Sequence, residues 1–481
     1  MNISLHSVDF AALSPLLILL LAALALLLIE SISEAFSRKY SAYFSLFAIA
    51  AAFTAAIYAP YSTNPLLTPW LRFDSISVFF NLLFLGVGFG AALLADSFFQ
   101  RFHATHGEYY FLLLSALFGL LLIGGSADFL TLFIGLETLS IALYILCGYM
   151  KLWDISHESS LKYFLMGAIA AAFLLYGIAL IYGAIGTTQF GGLMPGYQSL
   201  ASTYSKVLFM SGIGFVTLGL AFKAAIVPFH VWAPDVYEGA PTPVTAFMSV
   251  GTKAGAFAAF TRVFLEGLPN FNVEWSYLLS ILAILTLVYA NFLALRQFQL
   301  RRFFAYSGIS HAGYMLMPFV AGTPDALSAL MFYLVVYSLA TLGCFAVLSF
   351  IDYRKEGMLI SDLNGLFRHS PTLAVILIVC LLTLAGIPPT AGFFAKFFVI
   401  KTAFEAGYYV LGIVGLVMTI VAAYYYLRII SAVFTEENTH ERQIQMSWPA
   451  ALTGIIASLG IVLLSIYPAP LSHLITYASR F

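Results

Sequence analysis

Stretches of about twenty apolar residues follow one another along nearly the whole chain, separated by short polar punctuation. They fall at approximately 10–31, 41–60, 77–98, 109–126, 128–150, 161–186, 206–228, 242–264, 275–295, 303–321, 325–350, 371–401, 407–434 and 449–470. A helix needs about 20 apolar residues to cross the hydrocarbon core of a bilayer. Backbone in lipid must satisfy its hydrogen bonds within its own segment. Each stretch therefore reads as one transmembrane helix, and the spacing predicts fourteen. Of 481 residues, 62% are apolar and 9% charged, whereas soluble domains run at roughly 45–50% and ~25%. The mean hydropathy is +0.96. A β-barrel is excluded, because its strands alternate in polarity. A receptor with a large soluble domain is excluded too, since the longest polar stretches are Asn64–Asp74, Thr187–Ser205 and Asp352–Ser370. The expected fold is an all-α integral membrane protein, one polytopic domain over 1–481.

Lys plus Arg number 21 against 22 Asp plus Glu, a net charge of −1, which offers nothing to a nucleic acid. With the N-terminus outside, twelve Lys and Arg fall in inside loops and five in outside segments, four more lying within or at the ends of spans. Positive residues favour the cytoplasmic side, so both termini are expected on the periplasmic side. The run from Phe10 to Ile29 is too long for the apolar region of a signal peptide and lacks a basic start, so it reads as a retained first span. Cys147, Cys344 and Cys380 stand singly in apolar runs, without the pattern of an iron–sulfur, zinc or disulfide framework. No dinucleotide loop, P-loop, haem or flavin motif is present, and no bound cofactor is expected.

Ionisable groups inside a bilayer cost about 2.5–3.5 kcal/mol each at a helix centre on insertion scales. Four stand out: Glu137 in FLTLFIGLETLSIALYIL, Lys223 in GLAFKAAIVPFHVW, Lys253 in MSVGTKAGAFAAF and Lys396 in GIPPTAGFFAKFFVI. Low dielectric makes an ammonium release its proton more readily, and a nearby carboxylate holds the proton on. Moving the carboxylate would load and unload the lysine. Any one lysine can instead be half of a structural ion pair. Three lysines against one central acid cannot all be paired so, which favours a proton relay.

Two lysine spans are interrupted. Lys223 is followed by Pro228, Pro234, Pro241 and Pro243, and Lys396 is preceded by Pro388 and Pro389. Proline removes a backbone donor and breaks a helix, and broken spans in corresponding halves mark the ion site of inverted-repeat transporters. The broken spans are the seventh and twelfth, five apart. That predicts two inverted five-helix repeats, spans 4–8 (109–264) and spans 9–13 (275–434), with Lys396 in the place that Lys223 holds. Prolines that merely end helices are the plainer alternative. His230 after the first break and His311 in YSGISHAGYMLM are candidate relay members, although a lone buried histidine is as often structural. Tyr424, Tyr425, Tyr426 and Arg428 read as an interfacial aromatic belt with its arginine. His103, His106, His157 and His369 read as solvated loop residues.

The segments GLETLSIALYILCGY, SSLKYFLMGAIAAAFLLYGIALIYGAIGT, FKAAIVPFHVWAPDVYEGAPTPVTAFMSVGTKAGAF, RFFAYSGISHAGYML and GIPPTAGFFAKF closely resemble the subunit N (subunit 2) family of proton-pumping NADH–quinone oxidoreductase, respiratory complex I. The resemblance runs from about residue 70 to about 440, with the first two spans and the last alike only in hydropathy. It implies an antiporter-like subunit related to Mrp-type sodium/proton antiporters. Glu137 matches the family's fifth-helix glutamate, and Lys223, Lys253 and Lys396 match its lysines of helices 7, 8 and 12. No long lateral helix like that of the largest antiporter-like subunit is expected after the fourteenth span, which argues against that assignment. The resemblance further implies a subunit without redox centres in a bacterial inner membrane, beside sister antiporter-like subunits and small multi-helix subunits. FMN and iron–sulfur clusters would lie in partner subunits, with quinone as the substrate of the whole complex. An Mrp-type antiporter subunit, a membrane subunit of a hydrogenase-related complex and a scaffold without ion traffic are the alternatives.

Overall fold

The computed structural model describes residues 7–104, 106–269, 272–352, 357–435 and 447–479. Among them are nineteen α-helices and no strand. The first six are α1 (Ser7–Ile32), α2 (Glu34–Tyr58), α3 (Ser75–Arg101), α4 (Gly107–Gly124), α5 (Phe129–Cys147) and α6 (Asp154–Ile185). A short α7 (Leu193–Ser199) leads to α8 (Thr203–Ala224), α9 (Trp232–Gly239), α10 (Thr242–Phe260), α11 (Asn272–Leu295), α12 (Leu300–Ala321) and α13 (Pro324–Ile351). After α14 (Leu366–His369) come α15 (Pro371–Ala385), α16 (Ala391–Glu405), α17 (Tyr409–Phe434), α18 (Trp448–Ile466) and α19 (Ala469–Ala478).

The fourteen expected spans are all present. Eleven are helices apolar and long enough to cross a membrane alone. The other three are α10 and α12, which carry buried polar residues, and the pair α15–α16. The seventh and twelfth spans are broken, α8 from α9 and α15 from α16. Helix starts follow their caps: Asp74 accepts from Ser77 N, Asp128 from Thr131 N and Leu130 N, and Thr323 from Ala326 N, each occupying backbone donors the helix leaves open. Helix α8 ends on Ala225 and α15 on Gly386, both left-handed (φ 58° and 77°).

Burial sorts the helices into layers. Every residue of α10 is buried, and α12 and α13 are buried almost throughout. Helices α1, α6, α11, α17 and α18 show one wide apolar face to the outside, as lipid-facing helices do. The first three spans join this body partly through Arg262. That guanidinium is fully buried in a single π-helical turn, Thr261–Glu266, that prolongs α10. It donates to Asp74 (2.7 Å), Glu266 (2.7 Å), Ser77 (2.7 Å) and the Gly124 carbonyl. Burial raises the Asp74 pKa, but the charge and hydrogen bonds of Arg262, with those of Ser77, outweigh it and bring it to about 2. The clasp therefore stays charged at ordinary pH.

Several expectations need correction. Arg262 is no loop charge, and neither is Arg301, buried at the start of α12 and donating to Ala240 O. The inside–outside charge count thus rests on fewer true loop residues than the sequence suggests. Arg354, Lys355, Arg442 and Arg480 of that count lie outside the described residues. His157 lies in α6, not a loop, and His106 stands at the start of α4, 3.7 Å from Glu34. Helix α19 was not expected. It packs across the ends of α3 and α13, with Ser75 donating to Ala478 O and Ser328 bonded to Ser479.

Candidate functional site

Lys223 occupies the last turn of α8 and is 3% exposed. Its Nζ donates to Ser140 Oγ at 2.5 Å and lies 3.5 Å from Tyr144 OH. Glu137, Ser140 and Tyr144 recur at i, i+3 and i+7, one face of α5. Glu137 itself is half-buried, with Oε1 lacking a hydrogen-bond partner. The direct Glu137–Lys223 pair that the sequence suggests is absent here: the serine one turn along the helix receives the ammonium. Among the described residues, the lysines in ion pairs are Lys162 and Lys401. Lys223, Lys253 and Lys396 therefore carry no carboxylate within ion-pair distance, so none is half of a structural salt bridge.

Lys253 sits in the middle of α10. Its Nζ donates to Tyr237 OH (3.0 Å) on α9 and lies over that ring. Helix α12 passes closely here because residue 308 is glycine. A Cβ there would stand 3.2 Å from Lys253 Nζ and 3.0 Å from Tyr337 OH. One turn further along α12, His311 bonds Tyr333 OH through Nδ1 (2.7 Å) and Tyr426 OH through Nε2 (3.1 Å). Tyr426 also bonds Ser307. His311 and Lys396 line one cavity with Tyr333 and Tyr337, about 10 Å³ in volume, which is about the room one water needs. Lys396, on α16, donates from Nζ to Ala385 O (2.9 Å), the last carbonyl of α15, and lies 5.1 Å from the Tyr314 ring.

The structure thus gathers Lys253, Tyr237, Tyr337, His311 and Lys396 into one buried row. It places Glu137, Ser140, Tyr144 and Lys223 in a second group. Rings of Tyr144, Tyr163, Trp232 and Tyr237, in successive contact, fill the space between the two. His230 is not in either. It is buried with Nδ1 unpartnered and packs edge-on against Tyr289 of α11. Tyr425 and Tyr426 are no interfacial belt: both are fully buried, Tyr425 donating to Asn291 Oδ1 (3.0 Å), while Tyr424 alone of the three faces outward. Arg428 donates to the carbonyls of Leu295 and Gln297 at the end of α11.

The expected equivalence of Lys396 and Lys223 also fails. With the left-handed residues Ala225 and Gly386 aligned, Ile226 meets Ile387 and Pro228 meets Pro389. Lys223 then corresponds to Leu384, and Lys396 to Asp235. One lysine precedes its break and the other follows it.

Half-helices that meet inside the bilayer, with unpaired buried lysines at both meeting points, define an ion-translocating membrane protein. Residues 126–460 match the family described as NADH:quinone oxidoreductase/Mrp antiporter, transmembrane, and the chain belongs to that family. It is 58% identical, over the full length of both chains, to the NADH-quinone oxidoreductase subunit N of Protochlamydia amoebophila. Sequence likeness therefore reaches both ends, beyond the 70–440 range that the motifs alone suggest. Among solved structures, it is similar to a chain of respiratory complex I from Thermus thermophilus with bound aureothin. The TM-score there is 0.82 at 34% identity, covering 95% of this chain and 98% of that one. A chain of the Mrp complex from Dietzia shares the fold, with a TM-score of 0.83 at 20% identity over 98% of this chain and 97% of that one.

Proposed function

We propose that the chain works as subunit N of a bacterial NADH–quinone oxidoreductase and moves protons through the row Lys253–Tyr237–Tyr337–His311–Lys396. Glu137 and Lys223 form the entry group at the other side of the aromatic stack. The observation that carries this reading is three membrane-depth lysines without carboxylate partners, two of them at the ends of a run of tyrosine and histidine side chains that includes a one-water cavity. Neutral imidazole and hydroxyl groups receive and pass protons. A lysine that only held helices together would have a carboxylate beside it.

On this reading the chain binds no cofactor. FMN and iron–sulfur clusters belong to partner subunits and quinone is reduced there, while the sister antiporter-like and small multi-helix subunits flank this chain in the inner membrane. Spans 4–8 (109–264) and 9–13 (275–434) form the two inverted repeats, and both termini face the periplasm. His230 serves to seat the first break against Tyr289 rather than to pass protons. Full-length identity of 58% to a subunit N, against 20% to the Mrp chain, favours this over an Mrp-type or hydrogenase-related role.

The test is NADH-driven proton pumping by the assembled complex in sealed vesicles. Lys253→His is expected to pump better than Lys253→Arg, because a guanidinium keeps its proton. If arginine outperforms histidine, Lys253 is a structural charge and the relay reading falls.

A further inference from the structure

Two cavities open beyond Lys396, at the end of α16 where α12 stops and α13 begins. One is about 340 Å³ and the other about 200 Å³, and they share Asp325, Thr402 and Glu405. Asp325 and Glu405 are exposed, so this is a vestibule open to the surface that carries both carboxylates, walled on one side by Ser472 and Thr476 of α19.

The vestibule and the Lys396 cavity lie along the same seam between α13 and α16. On α13, residues 325, 328, 329 and 332 line the vestibule, and 333, 336 and 337 line the Lys396 cavity. On α16, residues 398, 401, 402 and 405 line the vestibule, and 392, 395 and 396 line the cavity. The two linings meet at residues 332 and 333 on α13 and at 396 and 398 on α16, where Phe332 and Phe398 stand edge to face at 5.3 Å between ring centres. Phe332 is 2% exposed, while Phe398 is half-buried. A hydrophobic constriction this narrow excludes water and stops conduction without any moving charge.

We propose that Phe332 and Phe398 form a hydrophobic gate closing a water path between Lys396 and the Asp325–Glu405 vestibule. Phe398 stands two residues after Lys396 on a half-helix of 15 residues. Lys396 holds that half-helix to α15 through Ala385 O. When Lys396 gives up this carbonyl, α16 is released at its own break and carries Phe398 away from Phe332. The proposal rests on the reading of Lys396 as a proton carrier.

The test uses Val336→Cys, which lines the Lys396 cavity beside the gate, in the assembled complex in sealed membranes. A small, membrane-impermeant methanethiosulfonate is applied from the vestibule side, and labelling of this subunit is read by mass. The cysteine is expected to label slowly, and roughly ten-fold or more faster when Phe332→Ala or Phe398→Ala removes half of the constriction. Phe398→Trp, a bulkier plug, is expected to slow pumping without raising the labelling rate. Unchanged labelling in both alanine variants overturns the gate, and Phe398→Ala serves where Phe332→Ala does not assemble. The two readings separate through Lys396→Met. Faster labelling in the alanine variants together with normal pumping by Lys396→Met retains the gate and removes the relay. Unchanged labelling with pumping abolished by Lys396→Met does the reverse.

Discussion

The two broken spans are built from the same elements and wired differently. At the first break the carbonyl of Phe222 accepts from the Trp232 indole (2.9 Å) as well as from Ala225 N (3.1 Å), and Val227 N donates to Thr286 Oγ1 (3.1 Å) of α11. Neutral groups close it, leaving Lys223 to turn towards Ser140. At the second break Lys396 itself takes the carbonyl of Ala385, and Ala391 N donates to Ser465 Oγ (2.8 Å) of α18. Where the second half carries Lys396, the first carries Asp235, which holds Lys162 and Arg302, each at 2.8 Å. These bonds pin α9 to α6 and α12. No such pair holds Lys396. The first break is clamped whatever the charge of its lysine, whereas the second is held by the lysine that the proposed relay would charge and discharge.

The sharpest way to break this comparison is to replace each lysine with methionine. Both Lys223→Met and Lys396→Met are expected to abolish most NADH-driven pumping. Only Lys396→Met leaves a break carbonyl without its donor, at a cost of about 1–3 kcal/mol for a buried group left unpaired. The complex carrying Lys396→Met should therefore melt below the one carrying Lys223→Met, and equal melting temperatures would remove the distinction. The left-handed residues give the next effect. Gly386→Ala adds a Cβ in a conformation that costs roughly 1–2 kcal/mol and puts it 2.7 Å from Lys396 Cδ, so assembly and thermal stability should both fall. Ala225→Gly, the reverse change at the first break, should leave stability equal or slightly higher. A destabilised Ala225→Gly would mean that the two turns are not equivalent.

A smaller difference is expected at the clamping hydroxyls. Thr286→Val leaves a wholly buried backbone N–H unpaired, at about 1–3 kcal/mol, and should lower the melting temperature more than Ser465→Ala, whose site is only part-buried. The opposite ranking would show the first break to be the looser one. Smallest is Ser140→Ala, which should slow pumping partially while Tyr144 remains as an acceptor for Lys223. Complete loss would make the serine itself part of the relay.

Hydropathy made the spans legible, because twenty apolar residues in a row have few other uses. The buried lysines were legible for the complementary reason, each being costly where it stands. The tyrosines were not. Tyr237 and Tyr337 stand in the row and Tyr333 and Tyr426 bond its histidine, yet tyrosine is equally common in lipid-facing belts, and nothing local tells Tyr426 from its outward neighbour Tyr424. Ser140 and Tyr144 did leave a signal, their i+3 and i+7 spacing from Glu137, which was there to be used. The place of Lys396 was legible too, since Lys223 precedes Pro228 whereas Lys396 follows Pro388 and Pro389, an order that puts the two lysines on opposite sides of their breaks. Arg262 and Arg301 look like loop charges in a linear count, since their partners Asp74 and Asp352 are far away in sequence.

The bond from Val227 to Thr286 reaches 59 residues forward along the chain. A ribosome needs roughly 3–12 s to add that many residues at ordinary bacterial rates. For that interval, in which the eighth span is itself being made, the amide of the first break has no Thr286 to bond. An insertion machinery that released spans singly would expose this amide to lipid, where an unsatisfied group costs several kcal/mol. Biogenesis of such a chain therefore calls for holding its middle helices together until the ninth arrives.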